Sequence, residues 1–169
     1  DLQNLSRAEA GQLQIKLERC DLVEIARSAL DWLRPQFQEK NITLMAELPD
    51  QPLHFRGDHD RISQVLLNLL SNALHYTPCE GRVTLSLIAD KGHIQFTVQD
   101  NGIGLTPEAT TLIFQRFYRV DPSRARESGG SGIGLTIARH LVEAHQGKLW
   151  AESPGENQGS TFFVELPAT

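Results

Sequence analysis

Three stretches of the chain place hydrophobic residues three or four positions apart, the spacing of a helix with one buried face. The first follows Asp21, which has the spacing of a capping box with Glu24. The second and strongest covers about 60–75 and ends before Pro78, because proline disfavours helix at the residue before it. The third covers about 133–145. The pattern therefore predicts three helices.

Other segments alternate hydrophobic and polar residues, the period of a strand with one buried face. Lys91-Gly92 predicts a hairpin turn between two of them, and we place Gly147 at the left-handed cap that ends the third helix. The predicted strands cover about 13–17, 42–46, 53–56, 83–89, 93–99, 149–152 and 161–166. Because helices and strands are interleaved, we expect an α/β or α+β domain with one layer of helices over one sheet.

Regular patterning is lost after Asp100-Asn101-Gly102, in a stretch that holds two prolines and several glycines. Loops of this length that lack structure of their own are usually functional lids or disordered segments. We therefore expect a mobile lid over about 106–130.

Composition narrows the class of protein. A chain of 169 residues fits one domain, and its 40% hydrophobic and 22% charged residues are ordinary for a globular protein. The formal net charge of -5 argues against non-specific binding to nucleic acid, which needs excess positive charge. No apolar run approaches the ~20 residues of a membrane helix, and the first residues do not resemble a signal peptide. Cys20 and Cys79 stand alone, which is typical of reduced cytosolic thiols and excludes a disulfide framework.

Asn68 and Asn72 lie four residues apart on one side of the strongest helix. Asparagine is a poor helix former, and its amide oxygen suits a hard cation such as Mg²⁺. The alternative is that both amides are simply solvated. His75 and Tyr76 follow at the helix end, where a histidine is also favoured by the helix dipole.

Asp100 to Gly104 form a second candidate, a carboxylate at a strand end followed by glycines. Such a carboxylate can accept a hydrogen bond from the amino group of a base while the glycines allow the ligand to approach. A plain tight turn explains the same residues, because Asp-Gly and Asn-Gly are common turn pairs.

Gly129 to Gly134 precede the third predicted helix, whose N-terminal N–H groups could bind an anion; a flexible hinge is the alternative. The segment is not a P-loop, since Gly-Lys-Ser/Thr is absent, and it completes neither a dinucleotide fingerprint nor a nucleophile elbow. The arginines upstream are either a solvated surface or a clamp for a terminal phosphate. They lie among aromatic residues: Phe114, Arg116, Phe117, Tyr118, Arg119, Arg124 and Arg126. The six histidines show no paired ligand spacing, which excludes a catalytic zinc site.

These signals stand in an order that resembles the ATP-binding catalytic domain of bacterial sensor histidine kinases. That domain belongs to the ATPase superfamily shared with gyrase, mismatch-repair and chaperone ATPases. Residues 68–76 resemble its N box, 100–104 its G1 box, 114–119 its F box, 130–135 its G2 box and 159–162 its last glycine motif. The resemblance implies a two-layer, Bergerat-type sandwich in which three helices cover a mixed, largely antiparallel sheet beside a mobile ATP lid.

The resemblance also implies a role for individual residues. Asn72 would bind Mg²⁺ and Asn68 would support the metal or the phosphates. Asp100 would accept from the adenine amino group, and Gly102 and Gly104 would shape that pocket. Arg119, with Arg116, would reach the γ-phosphate. The remaining residues implied to contact ATP are His75, Tyr76, Gly130, Gly132, Gly134, Leu135 and Thr161. His75 stands where the family often has lysine, and histidine is mostly neutral at pH 7.

Asn68 separates phosphoryl transfer from hydrolysis. Related hydrolysing ATPases have a glutamate at this position to activate water, and an amide cannot take that proton. Phosphoryl transfer needs mainly positioning and charge stabilisation, so we expect a kinase rather than a hydrolase.

Residues 1–12 resemble the end of the second helix of a dimerisation domain, and 13–169 would be the catalytic domain. The acceptor histidine would lie on that dimerisation domain, outside this chain; His59 is excluded because no proline follows it at the required position. We expect the chain to be a monomeric cytosolic piece of a homodimeric kinase that is often membrane-anchored, with a response regulator downstream. Two alternatives stay open: a nucleotide-gated binding module, and a serine-phosphorylating relative.

Overall fold

Seven strands form two sheets in the part of the chain that the structure, a computed structural model, describes: residues 14–115, 118 and 134–168. The strands are β1 (Glu18–Asp21), β2 (Thr43–Glu47), β3 (His54–Gly57), β4 (Arg82–Asp90), β5 (His93–Asp100), β6 (Lys148–Glu152) and β7 (Ser160–Pro167). Five of them form a sheet in the order β2-β4-β5-β7-β6, in which only the β2–β4 pair is parallel. The expected mixed, largely antiparallel sheet is therefore confirmed.

Three long helices pack on one face of this sheet. The long helices are α1 (Leu22–Glu39), α2 (His59–Tyr76) and α4 (Gly134–Ala144). A single helical turn, α3 (Ala109–Leu112), lies between α2 and α4 in the chain. The core lies between the layers, with Phe37, Leu66, Leu69, Phe96 and Phe162 among its fully buried side chains. None of the helices among the described residues is long and apolar enough to cross a bilayer.

The N-termini of the two longest helices are fixed by aspartates. Asp21 caps α1, because its Oδ1 accepts from Val23 N at 3.0 Å and also from Leu53 N at 3.1 Å. Asp58 caps α2 by accepting from Arg61 N at 3.2 Å. The predicted helix over 60–75 is therefore confirmed, with one residue more at each end.

The first strand differs from the prediction. Residues 14–17 are not a strand, and β1 begins at Glu18. It pairs with β3 in a separate antiparallel two-stranded sheet, with Glu18 opposite Gly57, so the expected single sheet is wrong in this respect. The alternation over 13–17 was misleading because Leu17 is about half exposed.

The end of α4 also differs. The residue with left-handed backbone is Gln146, at φ 61°, and not Gly147. Gly147 is required for another reason, because a Cβ atom there would collide with the carbonyl oxygen of Glu165 in β7. The glycine therefore permits close packing of the helix end on the sheet.

Residues 106–115, which the prediction places in the lid, are part of the packed fold. Residues up to Gln115 are ordered by α3 and by three apolar side chains, Ala109, Ile113 and Phe114, that are buried in the core. Thr136 of α4 donates from Oγ1 to the carbonyl oxygen of Phe114 at 2.8 Å. The rest of the expected lid, except Tyr118, lies outside the described residues, as does the expected helix remnant over 1–12.

Candidate functional site

Helix α2 carries both candidate asparagines where it approaches the start of α4. Asn68 Nδ2 donates to the carbonyl oxygen of Gly134 at 3.0 Å, and both Asn68 and Asn72 are half-buried. The Asn68 amide is therefore not freely solvated, whereas the role of the Asn72 amide stays a prediction. This bond uses one of the two N–H groups of the Asn68 amide, so its Oδ1 and its second N–H are left for a ligand.

Asp100 ends β5 with a buried carboxylate, at 6% exposure. Its Oδ1 accepts from Gly102 N at 2.8 Å and its Oδ2 accepts from Ser160 Oγ at 2.9 Å. Burial raises the pKa of the Asp100 carboxyl, and these hydrogen bonds offset part of that rise. The bond to Gly102 N is also the one by which an aspartate side chain closes a tight turn, so a binding role for Asp100 stays a prediction.

The turn after Asp100 is held close to the end of α2. Ile103 N donates to the carbonyl oxygen of Tyr76 at 3.2 Å, and a Cβ atom on Gly102 would collide with that same oxygen. Gly104 has φ 69°, and a Cβ there would collide with Gly155 in the turn between β6 and β7. Contacts within the protein thus require both glycines, and their part in shaping a ligand pocket stays a prediction.

A hydroxyl beside the carboxylate comes from Ser160 and not from Thr161. Asp100 and Ser160 are opposite each other in the β5–β7 ladder. Because side chains alternate along a strand, Thr161 points to the other face of the sheet. The structure therefore does not bring Thr161 to Asp100. Sequence reasoning missed Ser160, although the position directly after Gly159 in the same motif was the available signal.

The last turn of α2 is held by Lys40, a residue that sequence reasoning also missed. Its Nζ donates to the carbonyl oxygens of Leu74 and His75, at 2.7 and 3.2 Å. Burial, and then the Lys40 ammonium, lower the pKa of His75. His75 is therefore neutral at pH 7 in the absence of a ligand. No sequence motif marks Lys40, which lies just past the end of α1.

The remaining predicted residues divide into two groups. Gly134 and the half-buried Leu135 begin α4, beside Asn68, and Tyr76 is half-buried at the end of α2. The others lie outside the described residues: Arg116, Arg119, Gly130 and Gly132. Among the described residues, no group of three or more His, Cys, Asp or Glu side chains could hold a metal ion.

The family model described as "Histidine kinase-, DNA gyrase B-, and HSP90-like ATPase" matches residues 57–169, more than half of the chain. This chain belongs to that ATPase family. The matched region contains α2, the strands β4 to β7 and all the site residues predicted from the sequence, so the resemblance inferred from the motifs is confirmed.

Curated relatives within this family are sensor kinases. The chain is 37% identical over 169 residues to the sensor histidine kinase WalK of Bacillus subtilis, covering 99% of this chain and 27% of WalK. It is 38% identical to the sensor histidine kinase MtrB of Mycolicibacterium paratuberculosis, again over 99% of this chain and 29% of MtrB. The chain thus spans less than a third of the length of these relatives.

Solved structures of histidine kinases share the fold. The catalytic domain of the histidine kinase ThkA superposes with a TM-score of 0.79 at 28% identity, covering 91% of this chain and 97% of that one. Full-length ShkA in complex with AMPPNP superposes with a TM-score of 0.87 at 28% identity, covering 99% of this chain and 34% of that one. The α/β architecture expected for an ATPase of this family is therefore confirmed.

Proposed function

We propose that this chain binds Mg²⁺–ATP between α2 and the turn after β5, as the catalytic domain of a sensor histidine kinase. In the complete protein it would transfer the γ-phosphate to a histidine of a separate dimerisation domain. One observation carries the proposal: the buried Asp100 carboxylate, held by Gly102 and Ser160 next to the end of the asparagine-bearing helix. The family membership and the sensor-kinase relatives support it.

Asp100 would recognise the purine. Its two oxygens accept from Gly102 N, from Ser160 Oγ and from the backbone N–H of Ser160, and a carboxylate has about four acceptor sites, so one is left for a ligand. The ionised carboxylate can only accept, so it favours the amino group of adenine over the carbonyl that guanine presents at the same ring position. The hydrogen bonds from Gly102 and Ser160 hold the carboxylate in one orientation before the nucleotide arrives.

Asn72 and Asn68 would contact the other end of the nucleotide. Asn72 would offer its amide oxygen to Mg²⁺, which when bound neutralises charge on the phosphates. The N-terminal part of α4, with Gly134 and Leu135, favours negative charge and would receive phosphate oxygens. Arg116 and Arg119 at the γ-phosphate, and the backbone of Gly130 and Gly132, stay predictions of the motifs.

Asn68 favours transfer over hydrolysis. Its amide is fixed by the hydrogen bond to Gly134 and has no basic site that could deprotonate water. A water molecule beside the γ-phosphate would therefore lack a general base, whereas an incoming imidazole is itself a nucleophile.

The test measures phosphoryl transfer to an acceptor and then the chemical stability of the product. The chain is mixed with a homodimeric acceptor domain and γ-labelled ATP, and the product is treated with acid and with base. An acid-labile, base-stable phosphoryl group on the acceptor supports the kinase. An acid-stable product would instead indicate a serine-phosphorylating relative, and ATP binding without any transfer would indicate a nucleotide-gated binding module. A response regulator added to the phosphorylated acceptor tests the proposed downstream partner.

A further inference from the structure

The turn between β6 and β7, residues 153–159, packs against the segment 100–105 that follows β5. Asn157 N donates to the carbonyl oxygen of Ile103 at 2.6 Å, and Gly159 N donates to that of Gly102 at 3.1 Å. Gly159 must be glycine, because a Cβ atom there would collide with the carbonyl oxygen of Asp100. The two segments are thus in direct backbone contact on the side where the Asp100 carboxylate is held.

Ser153 joins these two segments through a single hydroxyl group. Its Oγ accepts from Leu105 N at 3.0 Å and from Gly155 N at 3.2 Å, and it lies 2.6 Å from the carbonyl oxygen of Gly159. A hydroxyl has one proton and two lone pairs. Donation to Gly159 and acceptance from the two N–H groups therefore use its full capacity, and no other residue type except threonine can replace all three bonds.

The Ser153 hydroxyl is linked to the Asp100 carboxylate through Gly159 and Ser160. Ser153 fixes the carbonyl group of Gly159, and the next residue, Ser160, donates its own hydroxyl to Asp100 Oδ2 at 2.9 Å. At the other end, Ser153 fixes Leu105, which ends the segment that begins with Asp100. Both partners that orient the carboxylate, Gly102 N and Ser160 Oγ, thus lie on segments that Ser153 connects.

We propose that Ser153 is a positioning residue for purine recognition, which sets the orientation of the Asp100 carboxylate without touching the nucleotide. This inference rests on the proposed function, since it assumes that Asp100 accepts from the amino group of adenine. Loss of the Ser153 hydroxyl frees the turn over 153–159 from Leu105, and the carboxylate is no longer held in the orientation that suits the base.

The test compares the affinities of ATP and inosine triphosphate, both with Mg²⁺, for the wild-type chain and for Ser153→Ala. Inosine has a carbonyl where adenine has its amino group, so it offers the carboxylate no donor at that ring position. We expect Ser153→Ala to lower the affinity for ATP about tenfold, the equivalent of one hydrogen bond, and to leave the affinity for inosine triphosphate unchanged. Ser153→Thr should restore ATP binding, and Ser86→Ala, which removes a surface hydroxyl bonded to Glu47, should match the wild type.

Two results would overturn the inference: unchanged ATP affinity in Ser153→Ala, or an equal loss for both nucleotides, which would indicate general loosening of the domain. If Ser153→Ala is too unstable to measure, Ser153→Cys takes its place, because its thiol is a weak donor and acceptor and should give an intermediate loss for ATP alone. A wild-type chain that does not prefer ATP to inosine triphosphate would refute the proposed function itself. A wild-type preference that is undiminished in Ser153→Ala would refute only the role of Ser153.

Discussion

Replacement of Asp100 by asparagine should separate ligand binding from stability. The carboxylate is buried, and burial raises its pKa above the ordinary value of 3.8. The folded domain therefore holds the proton more tightly than the unfolded chain, and the free energy of unfolding falls as the pH rises from about 3.8 through the folded pKa. At pH 7 the ionised carboxylate thus lowers the stability of the ligand-free domain.

Asparagine is nearly isosteric and removes this charge. Its Oδ1 can still accept from Gly102 N, and its amide nitrogen can donate to Ser160 Oγ, whose hydroxyl rotates. We therefore expect Asp100→Asn to melt at the same temperature as the wild type or higher, with a weaker dependence of stability on pH above 3.8.

Nucleotide binding should respond in the opposite direction. A hydrogen bond to a charged acceptor contributes about 1.5–3 kcal/mol, and each 1.4 kcal/mol is about tenfold in affinity. Asp100→Asn should thus lower the affinity for Mg²⁺–ATP by about ten- to a hundredfold, as measured by isothermal titration calorimetry. Melting with and without saturating nucleotide should show a smaller rise for the variant.

Asp90→Asn is the matched control, because Asp90 is an exposed carboxylate at the opposite end of the same hairpin. It should change neither property. Unchanged ATP affinity in Asp100→Asn would refute purine recognition by this carboxylate. A large loss of melting temperature would show instead that the carboxylate serves the fold.

Three further predictions follow from other contacts. Asn68→Glu places a carboxylate where water would be activated and should raise the slow rate of ATP hydrolysis in a phosphate-release assay, whereas Asn68→Gln should not; no rise with binding intact would contradict the role of Asn68. Lys40→Met should raise the pKa of His75 in an NMR titration, and Lys40→Arg should not. Because the lowered pKa of His75 makes the folded domain lose stability as the pH falls below 6.5, that loss should be smaller in Lys40→Met. Thr77 is fully buried and its Oγ1 has no hydrogen-bond partner in the described part of the chain, so Thr77→Val should raise the free energy of unfolding by about 1 kcal/mol in urea denaturation; a decrease would reveal a partner for that hydroxyl.

The secondary structure could be predicted wherever one face of an element is buried along its whole length. Helix α2 is such a case, because its apolar positions all contact the core and its end is set by Pro78. The prediction failed for β1, where Leu17 continues an alternating pattern into solvent. It also failed at Gly147, because local turn rules cannot show that a distant strand, β7, needs the space of its missing Cβ.

In the candidate site too, some residues could be predicted from local sequence and others only from the fold. Asp100 and the asparagines could be found because each stands in a short motif with its own chemistry. Lys40 could not, since the carbonyl groups it holds are 34 and 35 residues away in the chain. Ser160 was passed over for Thr161, because a glycine motif does not tell which of two adjacent hydroxyls faces the helices; only the register of β7 with β5 decides it.

The contacts that hold the two ends of the candidate site are different in kind. The Asp100 carboxylate is held by Gly102 N and Ser160 Oγ, both within the sheet and its connections. Asn68 is oriented by Gly134, and the last turn of its helix by Lys40, so this end depends on how α1, α2 and α4 pack together. The two ends meet where the carbonyl oxygen of Tyr76 accepts from Ile103 N. A change at the sheet end should therefore alter the choice of base, whereas a change in helix packing should alter metal and phosphate binding while leaving that choice intact.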